Sequence, residues 1–95
     1  MIRVIASKRV KEDKLQEVLR ITEELVRETV KEKGCISYEG YQDINDPQKI
    51  IILEAWESEE DLKAHQETDH FTRLVPMMGD MTEENYGVNI LKKVF

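Results

Sequence analysis

The chain has 95 residues, of which 40% are hydrophobic and 36% charged, with only two prolines and four glycines. This composition predicts one folded domain over residues 1–95 and excludes a disordered or fibrous chain. The 14 basic and 20 acidic residues leave a net charge of −6, which disfavours nucleic acid and anionic membranes as partners.

The amino-terminal third predicts a strand followed by a helix. Apolar and polar residues alternate from Met1 to Val10, which is typical of a strand with one apolar face. After Glu12 the period becomes helical, and Gly34 stands where a left-handed residue would end the helix. The apolar stripe of this helix is Leu15, Val18, Leu19, Thr22, Leu25, Val26 and Thr29.

The central segment predicts a hairpin. Cys35 to Ile44 has strand character, a turn covers 45–48, and Lys49 to Trp56 is rich in β-branched residues. Ser58 is then a suitable N-cap for a second helix, because three acidic residues come after it and complement the helix dipole.

The remaining segment predicts a broken helix and a last strand. We expect the second helix to break near Thr68 and Asp69 and to restart from His70 to Val75, with Pro76 interrupting it. A loop over 77–81 and a strand over 84–95 complete the chain.

This order of elements predicts an α+β fold, the ferredoxin-like β-α-β-β-α-β arrangement with a four-stranded antiparallel sheet and both helices on one face. The third strand is apolar on both faces, since Ile50 and Ile52 point one way and Ile51 and Leu53 the other. Helices cover only one face, so we expect a homodimer joined sheet to sheet. The alternative is that Ile51 and Leu53 are ordinary exposed residues.

The only tryptophan and both histidines lie within 56–70, which favours one pocket at the turn from strand to helix. Glu54 and Trp56 share a strand face and would border a cavity with His65 if that face meets the second helix. The alternatives are a core Trp56, a paired Glu54, and a His65 that is a surface or structural residue.

A metal site is not expected, because five positions on a continuous helix would point His65 and His70 in different directions. They could converge only if the helix broke between them. The scattered glycines give no nucleotide-binding loop, and Cys35 is more typical of a structural residue than of a nucleophile. Cys35 has no partner for an intramolecular disulfide, and the longest aliphatic run has four residues, so a cytoplasmic protein that does not enter the membrane is expected.

Several short segments match one family. They are Glu32 to Cys35, Glu54 to Ser58, Leu62, Ala64-His65, and Thr68 to Phe71. With these segments the chain resembles the antibiotic biosynthesis monooxygenase domain, especially its small members that act on quinols. The resemblance implies a ferredoxin-like homodimer whose two sheets form a shared α/β barrel. It also implies oxygenation of an electron-rich aromatic substrate by dioxygen, with no cofactor.

The resemblance assigns roles to residues. It implies that His65 removes a phenolic proton or shuttles it, with His70 as its substitute, so that the substrate anion can reduce dioxygen. Trp56 and Phe71 would shape an aromatic site with Leu62, although packing is the alternative for Phe71. Glu54 would orient another side chain of the site.

Other branches of the family are less well matched. Haem degradation needs an Asn, a Trp and an axial His where this chain has Ser7, His65 and Val75. A branch that processes phosphorylated autoinducer-2 would need basic residues near the pocket, for which Arg3, Lys8, Arg9 and Arg73 are the candidates. A non-catalytic small-molecule-binding or sensing module and a cofactor-free isomerase remain the alternatives to a monooxygenase.

Overall fold

The computed structural model describes residues 1–95. Four strands and three α-helices form the fold, with short 3-10 turns at Glu12–Lys14 and Gly79–Met81. In chain order they are β1 (Ile2–Val10), α1 (Leu15–Thr29), β2 (Cys35–Gln42), β3 (Lys49–Trp56), α2 (Glu59–His65), α3 (Asp69–Met77) and β4 (Thr82–Lys92).

The sheet confirms the predicted ferredoxin-like fold. Its strand order is β2-β3-β1-β4, and all neighbouring strands are antiparallel. Val4 lies opposite Glu54 on one side and Ile90 on the other. Because side chains alternate along a strand, these three residues point to the same face of the sheet, and this face carries the helices.

The helix-bearing face contains the core. The predicted stripe of α1 is buried at Val18, Thr22, Leu25 and Thr29, and Ile21 joins it. Val4, Ile50 and Trp56 of the sheet belong to the same core cluster. The change from two-residue to helical periodicity in the sequence therefore identified the packed faces correctly.

Three predicted boundaries were wrong. β2 ends at Gln42 rather than Ile44, because the Asp43 carboxylate accepts from the backbone N–H groups of residues 45 and 46 and turns the chain out of the sheet. β4 runs over Thr82–Lys92 rather than 84–95. Pro76 lies inside the last turn of α3, where its missing N–H costs a single backbone bond and the helix continues to Met77.

The break between α2 and α3 is confirmed. Ser58 caps α2 by accepting from the Asp61 N–H, and Thr68 caps α3 by accepting from the Phe71 N–H at 3.2 Å. The Thr68 hydroxyl also donates to the carbonyl oxygen of His65 at 2.7 Å. One side chain therefore ends one helix and begins the next, and it fixes the angle between them.

The other face of the sheet carries no helix. Ile5 and Leu53 lie opposite each other there, 38% and 37% exposed, and Leu91 is 43% exposed on the neighbouring strand. None of the helices is both long and apolar enough to cross a bilayer.

Candidate active site

Two histidines converge on one carboxylate. Nδ1 of His65 lies 2.7 Å, and Nε2 of His70 2.6 Å, from the same oxygen of Glu32, its Oε2. The interpretation that the imidazoles diverge, which holds only for a continuous helix, was therefore wrong. The stated alternative applies, because the break at Thr68 reorients α3 and brings His70 back toward His65.

The cluster of Glu32, His65 and His70 has the donor types of a divalent transition-metal site. Its distances are nevertheless those of hydrogen bonds. Ligands of a tetrahedral zinc ion, bound at about 2.0 Å, lie roughly 3.3 Å apart. The two imidazole nitrogens would have to move away from Glu32 to admit a metal, so the cluster is a hydrogen-bonded one.

His65 is almost completely buried, with 1% of its surface exposed. Three aromatic rings surround its imidazole: Trp56 at 4.8 Å, Phe71 at 5.0 Å and Tyr38 at 5.4 Å between ring centroids. Burial lowers the pKa of His65, and the hydrogen bond to Glu32 opposes that effect only in part. The ring is therefore neutral at neutral pH, with its proton on Nδ1.

A cavity of about 200 Å³ adjoins His65. A dry cavity of about 150 Å³ holds benzene in another protein, so this volume admits one substituted aromatic ring. Most lining side chains are apolar. Of the six residues predicted as catalytic or substrate-binding, His65, Glu54, Leu62 and Phe71 line the cavity.

Trp56 and His70 do not line this cavity. Trp56 is completely buried, and its Nε1 donates to Oε1 of Glu54 at 2.9 Å. His70 contacts Oε2 of Glu32, the same atom that holds His65. Trp56 and His70 therefore reach the cavity only through other side chains.

Glu54 is a buried carboxyl group at the cavity wall, with 8% exposure. Burial raises its pKa, the Trp56 N–H acts in the opposite direction, and the nearby charge of Glu32 raises it again. Its proton is thus held more tightly than that of a surface glutamate. Such a group can hold or return a proton close to His65.

Tyr38 and Glu32 could not be identified as site residues from the sequence. The Tyr38 hydroxyl has no hydrogen-bond partner in the protein, although the residue is 4% exposed and lines the cavity. Burial raises its pKa strongly, so it remains a hydrogen-bond donor. No spacing rule links residues 32 and 38 to 65, and their place in the site depends on tertiary packing.

Cys35 is not a nucleophile of this site. Burial, together with the charges of Glu32 and Glu54, raises the pKa of its thiol to about 11. The thiol is therefore protonated at neutral pH, as expected for a structural cysteine.

Three relatives match most of this chain in sequence. YcnE of Bacillus subtilis, named as a candidate monooxygenase, is 32% identical over 75 residues, which are 79% of each chain. An isomerase of Photorhabdus laumondii, acting by its name on (4S)-4-hydroxy-5-phosphonooxypentane-2,3-dione, is 28% identical over 79% of this chain and 76% of its own. An uncharacterised Synechocystis protein is 28% identical over 88% of this chain, and the match spans only 57% of that protein.

Solved structures share the whole fold. A conserved protein of Methanosarcina mazei Go1 is 36% identical with a TM-score of 0.94, covering 98% of this chain and 92% of that one. A crystal structure described as an antibiotic biosynthesis monooxygenase is 33% identical with a TM-score of 0.95 over the full length of both chains. The family model for antibiotic biosynthesis monooxygenase matches residues 1–76, which include Glu32, His65 and His70. The chain belongs to the antibiotic biosynthesis monooxygenase family.

Proposed function

We propose that the protein is a cofactor-independent monooxygenase that oxidises a quinol-like aromatic substrate with dioxygen. One observation carries the proposal: a buried neutral imidazole, held at Nδ1 by Glu32, borders an apolar cavity and has no hydrogen-bond partner at Nε2. That nitrogen can accept a proton from a bound phenol. The family membership supports the same chemistry.

The proposed reaction starts with transfer of a phenolic proton to Nε2 of His65. The phenolate then gives one electron to dioxygen, and the two radicals combine into a peroxide on the ring. Loss of water from the peroxide gives a hydroxyquinone, so hydroquinone and one dioxygen yield one hydroxyquinone and one water. The substrate supplies all four electrons that dioxygen accepts.

The other polar groups have proposed roles around this step. The Tyr38 hydroxyl would donate to the second oxygen of the quinol, and Leu62 and Phe71 would hold the ring in an environment without water. His65 would return its proton to the peroxide oxygen, and the Glu54 carboxylate would pass the ring proton to the hydroxide that leaves as water. Trp56 would position Glu54, and His70 would position Glu32.

We also propose that two copies associate through the face of the sheet that carries no helix. Ile5, Leu53 and Leu91 form an apolar surface there, and every helix of the chain lies on the other face. A second copy would cover this surface with an identical one. A cytoplasmic location completes the proposal and is testable by cell fractionation.

Oxygen consumption with a panel of hydroquinones tests the function. The expected result is quinol-dependent uptake, with one atom of isotopically labelled dioxygen in the product. A protein that binds quinols and takes up no oxygen would be a binding module instead. Turnover of a hydroxyketone without oxygen would identify an isomerase, the activity in the name of the Photorhabdus relative.

A further inference from the structure

One cation lies inside the cavity without a carboxylate partner. Nζ of Lys8 has a single hydrogen-bond acceptor, the thioether sulfur of Met78 at 3.3 Å. The Thr22 hydroxyl shares that sulfur at 3.7 Å, and Thr22 is 7% exposed. A thioether is a weak hydrogen-bond acceptor. The Lys8 ammonium and the buried Thr22 hydroxyl are therefore both directed at a position that lacks a strong acceptor.

The other basic residues considered from the sequence lie elsewhere. Arg9 pairs with Asp46 at 3.0 Å and with Glu83, and Arg73 pairs with Glu24 at 3.0 Å. Arg3 belongs to the opposite parity of β1, the parity of the face without helices. Of the four basic candidates for a phosphate-binding cluster, Lys8 alone lines the cavity.

Lys8 and His65 lie toward opposite ends of the cavity, because His65 is beside Trp56, two positions beyond Glu54 in β3. In the pairing of β1 with β3, Lys8 lies opposite Ile50 and Val4 lies opposite Glu54, so the two pairs are four positions apart along each strand. Four residues of a strand span about 13 Å. Ala6, midway between these ends, lines the cavity together with its strand partners Ile52 and Val88.

From this arrangement we propose that Lys8 and Thr22 bind a carboxylate of the substrate, which makes the substrate a hydroxylated aromatic acid whose ring lies between Lys8 and His65. The identity of the reactive end rests on the proposed function, whereas the acid end rests on Lys8 and Thr22 alone.

The charge balance favours a carboxylate over a phosphate. A phosphate monoester carries between one and a half and two negative charges at neutral pH, and the cavity offers one cation to it. A carboxylate carries one charge and accepts from two donors. Burial lowers the pKa of Lys8, because its ammonium is poorly solvated inside the cavity, and an anion there would stabilise it.

Equilibrium binding under anaerobic conditions tests the proposal without turnover. The probes are a dihydroxyphenylacetate and its methyl ester, which differ in charge and hardly in shape. Wild type should bind the acid about 10- to 100-fold more tightly, as expected for a charged hydrogen bond. A wild-type protein that does not prefer the acid, whether it binds both probes equally or neither, overturns the proposal.

Variants assign the preference to residues. Lys8→Met should reduce the acid's affinity to within about threefold of the ester's, and Lys8→Arg should keep most of the preference. The matched control is Lys11→Met, an exposed lysine after the same strand, which should behave as wild type. A Lys8→Met protein that keeps the preference contradicts the assignment, and so does tighter binding of a phosphate monoester of similar size.

Oxygen uptake with a neutral hydroquinone separates this proposal from the proposed function. Acid preference without any oxygen uptake overturns the oxygenase and supports the acid site. Oxygen uptake without acid preference supports the oxygenase and overturns the acid site.

Discussion

Oε2 of Glu32 lies 2.7 Å from Nδ1 of His65, although 33 positions separate the two residues in the chain. The carboxylate accepts the Nδ1 proton and leaves the lone pair of Nε2 available on the other side of the ring. It thereby selects one tautomer of a buried imidazole. The proposed base depends on this selection as much as on the histidine itself.

Replacing the proposed base should abolish catalysis and spare binding. We expect His65→Gln to lower quinol-dependent oxygen uptake by about 100- to 10,000-fold, the usual contribution of a general base, with quinol affinity changed only a few-fold. His70→Asn is the control, because His70 does not line the cavity and should cost less. Comparable oxygen uptake by wild type and His65→Gln would refute the assigned role.

The Glu32→Gln variant should change the pH profile in a defined direction. The Glu32 hydrogen bond raises the pKa of His65 against the larger lowering effect of burial, so its loss lowers that pKa further. Wild-type kcat/KM should fall at acidic pH along a limb below 6.5, the ordinary histidine value. In the variant this limb should move to lower pH, and the maximal rate should fall by about tenfold. A shift to higher pH would contradict the arrangement.

Glu54→Gln should stabilise the protein at neutral pH. Burial raises the pKa of Glu54, so its ionised form weakens the fold as pH rises above the ordinary value of 4.5. Gln keeps an acceptor for the Trp56 N–H and carries no charge. The expected gain in unfolding free energy is about 1 kcal/mol at pH 7, from the usual cost of a poorly compensated buried group. It should shrink as pH falls to about 4, and urea titrations at both pH values measure it.

Gly34→Ala should destabilise the fold. Gly34 has a φ of +82°, and an added Cβ would overlap the Asp61 side chain in the first turn of α2. The left-handed backbone and the overlap together should cost roughly 2 kcal/mol or more in urea denaturation. Gly79→Ala is the matched control, since a Cβ there meets nothing within 4 Å. Equal stability of the two variants would show that neither effect operates at Gly34.

A charge on the sheet face without helices should prevent dimerisation. Leu53→Asp places a carboxylate directly opposite Ile5, where the proposed partner would bury it. Sedimentation at micromolar concentration should show a dimer for wild type and a monomer for the variant. Ile44→Asp, in the exposed turn after β2, should remain dimeric. A monomeric wild type would rule out the proposed interface.

The sequence supported the fold better than the site. Strand parity, helical periodicity and the cap at Ser58 are local properties, and they predicted the sheet and the helices. The convergence of Glu32, in the connection between α1 and β2, with His65 at the end of α2 depends on tertiary packing, and no local pattern records it. Lys8 is recognisable in the sequence as an exception, because it is a charged residue on the apolar face of β1, between Ala6 and Val10.

The three residues between α2 and α3, 66–68, act as a spacer of fixed length. Thr68 ends one helix and begins the next, so one insertion or deletion here would change the position and direction of α3 and move His70 away from Glu32, while leaving every residue of the cluster in the sequence. Family members with a longer or shorter segment at this point should therefore lack the second contact to the carboxylate. The number of residues in this connection is itself a marker of the site.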